Sequence, residues 1–182
     1  MLIIARSITE LSFTRLMEVY LEGNLENGNE LWPELSEGEK LLRAEQEFYQ
    51  YLTQVFFSVK GAVYAIWEKE GTYVSALRLE PYKDGLLLEA LETKPDKRCK
   101  GYARKLVDHV LQWLKDQGSV RVYSHVSKKN LPSRKVHEAC GFLRIQDYAV
   151  SIDGSVNSGQ YTMLCEIERE VAACNAPVFL IG

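Results

Sequence analysis

The chain has 182 residues, 46% of them hydrophobic and 26% charged, with a formal net charge of −3. That balance excludes disorder, collagen and coiled coil, and a domain of this length buries roughly 70% of its unfolded surface without needing metals or disulfides. No apolar run approaches the ~20 residues of a membrane span and the apolar start is too short for a signal sequence, so a soluble cytoplasmic protein with no membrane partner is expected.

Residues 1–6 read as a strand. Ser7 with Glu10 forms a capping-box pattern ahead of a helix whose Phe13, Leu16, Met17, Tyr20 and Leu21 share a face. Residues 24–33, with Asn24, Asn27, Gly28 and Asn29, read as a polar loop. Ser36 and Glu39 repeat the capping box before a second helix that turns Leu41, Ala44, Phe48, Leu52 and Val55 inward. Two β-rich runs, 62–68 and 72–79, are joined by Lys69, Glu70 and Gly71 as a hairpin, and a third strand covers 86–93. Residues 101–117 carry apolar side chains at 103, 106, 107, 110, 111 and 114, a helical stripe that Gly118 ends. Residues 119–126 alternate as a strand. Asn130 caps a short helix with Pro132 in its first turn, and strands at about 142–152 and 159–167 finish the core. This order predicts an α/β (α+β) single domain over 1–167, a mixed sheet with one right-handed βαβ crossover between 86 and 126. Residues 168–182 form a tail whose apolar 178–181 is a candidate homodimer contact.

The cysteines at 99, 140, 165 and 174 have no Cys-x-x-Cys or histidine spacing, so they read as reduced, mostly buried packing residues and no metal is implied. Charge is unevenly spread. Residues 18–47 hold nine Glu against Lys40 and Arg43, a local −7, whereas 94–135 hold twelve Lys or Arg against three Asp, a local +9. The separation points to one anionic and one cationic ligand, with the acidic segment expected to draw a cationic acceptor. A nucleic-acid partner is disfavoured, because no stacking-aromatic pattern accompanies the basic segment and the whole chain is acidic.

The loop before the stripe helix carries the sharpest signal. Lys97, Arg98, Lys100, Arg104 and Lys105 crowd a helix N-terminus, where basic side chains oppose the macrodipole at about 0.3–1 kcal/mol each. The crowding makes sense if a phosphate or pyrophosphate sits there, held by free backbone N–H groups and the cations together. There is no Gly-Lys-Ser/Thr P-loop and no Gly-x-Gly-x-x-Gly after a strand, so nucleotide hydrolysis and NAD binding are not indicated.

Arg98-Cys99-Lys100-Gly101-Tyr102-Ala103 resembles the Gln/Arg-x-x-Gly-x-Gly/Ala pyrophosphate loop of the GNAT acetyltransferase superfamily. Asn130-Leu131-Pro132-Ser133 followed by Val136-His137-Glu138-Ala139-Cys140-Gly141-Phe142 is similar to its Asn-x-x-Ser and Leu-Tyr-x-x-x-Gly-Phe segments. The resemblance implies a mostly antiparallel sheet whose two parallel strands splay around acetyl-CoA, the cosubstrate. It implies cofactor contacts from Leu91, Thr93, Arg98, Cys99, Lys100, Gly101, Tyr102, Ala103, Asn130 and Ser133. His137 stands where the family usually has a Tyr that protonates or stabilises the leaving thiolate.

The implied reaction is acetyl transfer to a primary amine, and an amine of pKa near 10.4 must first lose a proton, at a cost of roughly 4–5 kcal/mol at pH 7. A base or an ordered water is therefore expected. By alternation Leu87, Glu89, Leu91 and Thr93 share one face, and the resemblance implies a base at the position of Leu87 or Glu89, which Glu89 can supply and Leu87 cannot; Glu92, on the opposite face, ranks third. His125 is the other candidate, since in the bacterial ribosomal-protein N-terminal acetyltransferases the base lies on the next strand, twelve residues before the Tyr. The substitution at His137 also leaves open a catalytically silent acyl-CoA-binding module. The acceptor, whether small amine, antibiotic, peptide N-terminus or lysine, is not legible.

Overall fold

A computed structural model describes residues 1–168; most of the tail, Cys174 included, lies outside the described residues. Seven strands form one sheet in the order β1-β2-β3-β4-β5-β9-β6, and β7 and β8 pair separately. In chain order these are β1 Leu2–Ala5, α1 Phe13–Leu31, α2 Glu37–Gln54, β2 Val63–Lys69, β3 Thr72–Tyr82 and β4 Gly85–Thr93. They continue as α3 Tyr102–Gln117, β5 Val120–Ser127, α4 Leu131–Ala139, β6 Leu143–Gln146, β7 Ala149–Val150, β8 Val156–Asn157 and β9 Gln160–Ile167. Every pairing in the large sheet is antiparallel except β4 with β5, the crossover through α3.

The helices cover opposite faces. Leu16, Met17 and Tyr20 of α1 and Leu52 of α2 pack with Tyr64, Ile66 and Ala76 of the sheet. The stripe Leu106, Val107, Val110 and Leu114 of α3 packs on the other face against Leu77, Leu79, Leu88 and Val122. Burying such side chains contributes about 1.5–3 kcal/mol each, which fixes both layers against the sheet.

Three sequence expectations are corrected. Ser7 and Glu10 frame only a 3-10 turn, Ile8–Glu10, in which the Glu10 carboxylate accepts from the Arg6 N–H (2.8 Å); α1 itself starts after Ser12. The expected loop 24–33 is helical through Leu31, because Gly28 packs where a Cβ would lie 2.8 Å from Lys40 Cβ, and Lys40 donates to Asn29 Oδ1 (3.0 Å). That packing outweighs a glycine penalty of about 1 kcal/mol. The expected strand 142–152 divides into β6 and β7, the latter leaving the sheet to pair with β8. The Ser36–Glu39 capping box forms in both directions at the start of α2.

Candidate active site

The strands β4 and β5 are clamped at one end. Asp84 accepts from Arg121 Nη1 (2.6 Å) and the Tyr123 hydroxyl (2.7 Å), and a Cβ on Gly85 would lie 2.1 Å from the Arg121 carbonyl oxygen. The parallel pairing then covers only Leu86, Leu87 and Leu88 against Val122, Tyr123 and Ser124. Beyond that point the strands diverge, with Leu91 and Thr93 on one arm.

A cleft of about 500 Å³ opens at the diverging end of β4, between α1 and the first turns of α3 and α4. Of the expected cofactor contacts, Leu91, Thr93, Arg98, Cys99, Gly101, Tyr102, Ala103, Asn130 and Ser133 line it; Lys100 does not, its Nζ instead donating to the Asp96 carbonyl (2.9 Å). Gly101 is the N-cap of α3 at φ 76°, with no side-chain cap and nothing within 4 Å of where a Cβ would stand. The first-turn N–H groups of an uncapped helix lack intrahelical partners, so this end fits an anion. Cys99 is exposed here, unlike the buried Cys140, whose thiol burial pushes up to about 12. Asn130 spends its side-chain oxygen on the Ser133 N–H (2.9 Å), capping α4.

The opposite wall is made by Glu22, Gly23 and Glu26 of α1, together with Glu92; the sequence reading expected the acidic segment 18–47 to draw the acceptor but named no α1 residue in the site. The i, i+4 row Glu18, Glu22 and Glu26 was the available signal. Arg98 bridges the walls, donating through Nε to the Thr93 carbonyl (3.2 Å), pairing with Glu22 and approaching Glu92 at 3.6 Å.

Glu92 is there because β4 bulges. Arg78 pairs with Glu89 and Ala76 with Glu92, a register slip centred on Ala90, whose φ is +50°. The expected alternation is therefore overturned. Glu89 and Glu92 share the α1 face, and Leu91 joins Leu88 against α3. Burial raises the Glu92 carboxyl above its ordinary value, with Arg98 opposing.

Glu89 and His125 come together on the α1 face, outside the cleft lining proper. Glu89 lies 3.5 Å from the Arg78 guanidinium. His125, one residue past the last β4 contact, stacks edge-on to Tyr82, and its buried Nε2 meets no hydrogen-bond partner among the described residues. Burial lowers its pKa, with Glu89 opposing, so the imidazole is neutral at pH 7.

His137 is not brought to this group. It is 1% exposed on the α3 face, with Nδ1 2.8 Å from the Ser133 carbonyl and Nε2 2.9 Å from Ser124 Oγ. A carbonyl only accepts, so Nδ1 carries the proton and Nε2 accepts from Ser124. Burial lowers its pKa and keeps it neutral. With its one N–H committed, His137 joins α4 to β5 and has no free donor for a sulfur, which corrects the expected role.

A sheet opened between two parallel strands, above an uncapped and basic helix start, defines an acyl-CoA-dependent transferase. Residues 25–142 match the acetyltransferase (GNAT) family, and the chain belongs to it. It is similar to the aminoglycoside N(6')-acetyltransferase type 1 of Salmonella typhimurium, 28% identical over 121 residues, which cover 62% of this chain and 78% of that protein. Among solved structures, the fold matches the ribosomal-protein-S18-alanine N-acetyltransferase of Escherichia coli at TM-score 0.57 and 20% identity, covering 97% of this chain and 99% of that one. It also matches the PaiA N-acetyltransferase of Thermoplasma acidophilum in complex with coenzyme A, at TM-score 0.62 and 14% identity over 91% and 99% of the two chains. The chain is thus an acyltransferase, which answers the alternative of a silent module. Among the described residues no helix is long and apolar enough to cross a membrane.

Proposed function

We propose that this enzyme moves the acetyl group of acetyl-CoA onto a primary amine that carries further positive charge. The observation that carries the reading is the two-signed cleft: Lys97, Arg98 and Arg104 with the α3 start on one side, Glu22, Glu26 and Glu92 on the other. The first wall suits a pyrophosphate and the second an ammonium group, so both substrates meet at the strand divergence. The aminoglycoside acetyltransferase relative, whose named substrate is polycationic, is consistent with this.

His125 is the proposed base. A neutral imidazole with an unspent Nε2 takes the amine proton as the nitrogen attacks the thioester carbonyl; the C–N bond forms, the C–S bond breaks and the electron pair leaves on sulfur. Glu89, whose charge raises the His125 pKa, stabilises the imidazolium that results. Its own pairing with Arg78 makes Glu89 the poorer base.

The test is an acceptor series with acetyl-CoA, read by free thiol release. Spermidine and kanamycin should give higher kcat/KM than hexylamine, which has one charge. A preference for hexylamine, or for an amine bearing a carboxylate, would overturn the acceptor assignment.

A further inference from the structure

Tyr20 of α1 and Tyr64 of β2 form a buried hydroxyl chain that ends on the bulge. Tyr64 donates to the Tyr20 oxygen (2.8 Å), and Tyr20 donates to the Ala90 carbonyl (2.8 Å). Tyr64 is fully buried and Tyr20 nearly so. Ala90 holds a positive φ that a non-glycine residue adopts only when its surroundings impose it. Without the slip at Ala90, strand alternation would turn Glu92 to the α3 face, away from Glu22 and Glu26.

We infer that Tyr20 is a positioning residue for acceptor specificity: its hydroxyl holds the Ala90 bulge that brings Glu92 onto the acidic wall. The inference rests on the reading of that wall as the seat of a cationic amine. The same helix then does two jobs. Glu22 and Glu26 face the cleft directly, while Tyr20, turned inward, fixes the third carboxylate through the backbone of another element. Specificity would therefore depend on a side chain that touches neither substrate.

Calorimetric titration of spermidine into CoA-saturated protein, alongside titration of CoA into the free protein, tests this with four variants. Glu92→Gln and Tyr20→Phe should each weaken spermidine about tenfold and leave the Kd for CoA within about twofold, the size expected for one hydrogen-bonded charge contact. The double variant should be no weaker than Glu92→Gln alone, because both remove the same contact. Tyr64→Phe removes a hydroxyl from the same buried chain but spares the Tyr20 donor, so its melting temperature should fall while its spermidine Kd stays at the wild-type value.

The positioning role is overturned if Tyr20→Phe weakens CoA as much as spermidine, if its effect adds fully to that of Glu92→Gln, or if Tyr64→Phe reproduces it. Should Glu92→Gln alone weaken spermidine while Tyr20→Phe does not, the acidic wall stands and the role of Tyr20 falls. Absence of spermidine binding to the wild type, or an unchanged affinity in Glu92→Gln, overturns the wall and this inference with it.

Discussion

Gly101 offers a perturbation in which charge can be separated from folding. Its φ of 76° and the empty space around a hypothetical Cβ mean that a side chain fits the free protein and projects into the cleft. Alanine there costs about 1–2 kcal/mol of left-handed strain, or roughly 2–8 °C in melting temperature for a chain of this size. Aspartate tolerates that conformation better and is a favoured N-cap, so Gly101→Asp should melt near the wild type. Its carboxylate, however, would stand within about 4–5 Å of a pyrophosphate held at the α3 start. At an effective dielectric of about 20 this repulsion is roughly 3–4 kcal/mol, a 10²- to 10³-fold loss of affinity. Gly101→Asn has nearly the same shape without the charge and isolates the steric part. Wild type at acetyl-CoA near 100 times its Kd gains about 2.7 kcal/mol, a shift of about 5–11 °C. Gly101→Asp should show almost none of it and Gly101→Asn an intermediate shift. A wild-type shift in Gly101→Asp would refute the placement of the pyrophosphate.

His125→Gln should lower kcat about 10²-fold or more with KM for acetyl-CoA unchanged, whereas Glu89→Gln should mainly lower the melting temperature by unpairing Arg78; the reverse pattern would make Glu89 the base. Raising salt from about 50 to about 500 mM should depress kcat/KM for spermidine but not for hexylamine, and equal slopes would reduce the acidic wall to ordinary solvation. Because burial holds the folded pKa of His137 below the unfolded value of 6.5, the native state binds fewer protons just below that pH; stability is then full above about 6.5 and falls as pH drops toward the folded value. His137→Gln should flatten that acid-side decline in melting temperature, leaving the share of His125, and an unchanged slope would show that His137 does not titrate in this way.

The readable parts of the sequence were those decided locally. The Ser36–Glu39 box, the stripe of α3 and the Gly118 stop depend on neighbours within a turn, and each stands in the structure. The basic, uncapped start of α3 was legible for a similar reason, since its cations, Gly101 and the helix start are contiguous. What failed depends on contacts between elements. Gly28 reads as a breaker until Lys40 packs against it. The slip at Ala90 leaves no mark in Leu88-Glu89-Ala90-Leu91, because the hydroxyl that holds it comes from Tyr20, 70 residues away. That single slip moved Glu92 across the sheet, and His137 looked free because Ser124 lies on another element and Ser133 read as a cofactor contact, its carbonyl giving no signal of its own.

The short pairing of β4 with β5 has a consequence for where the sheet leaves its backbone unpaired. Past Leu88 and Ser124, each strand still has a neighbour on its far side, β3 and β9, yet the two turn unmatched edges toward one another. Such edges usually sit at the rim of a sheet, where they recruit foreign strands and must be blunted by charge or proline. Here they face each other in the interior of the sheet, each backed by its outer neighbour. Backbone that would invite a foreign strand at a rim is thus held inside the sheet, where an extended, amide-bearing arm such as that of acetyl-CoA would find hydrogen-bonding groups on both sides.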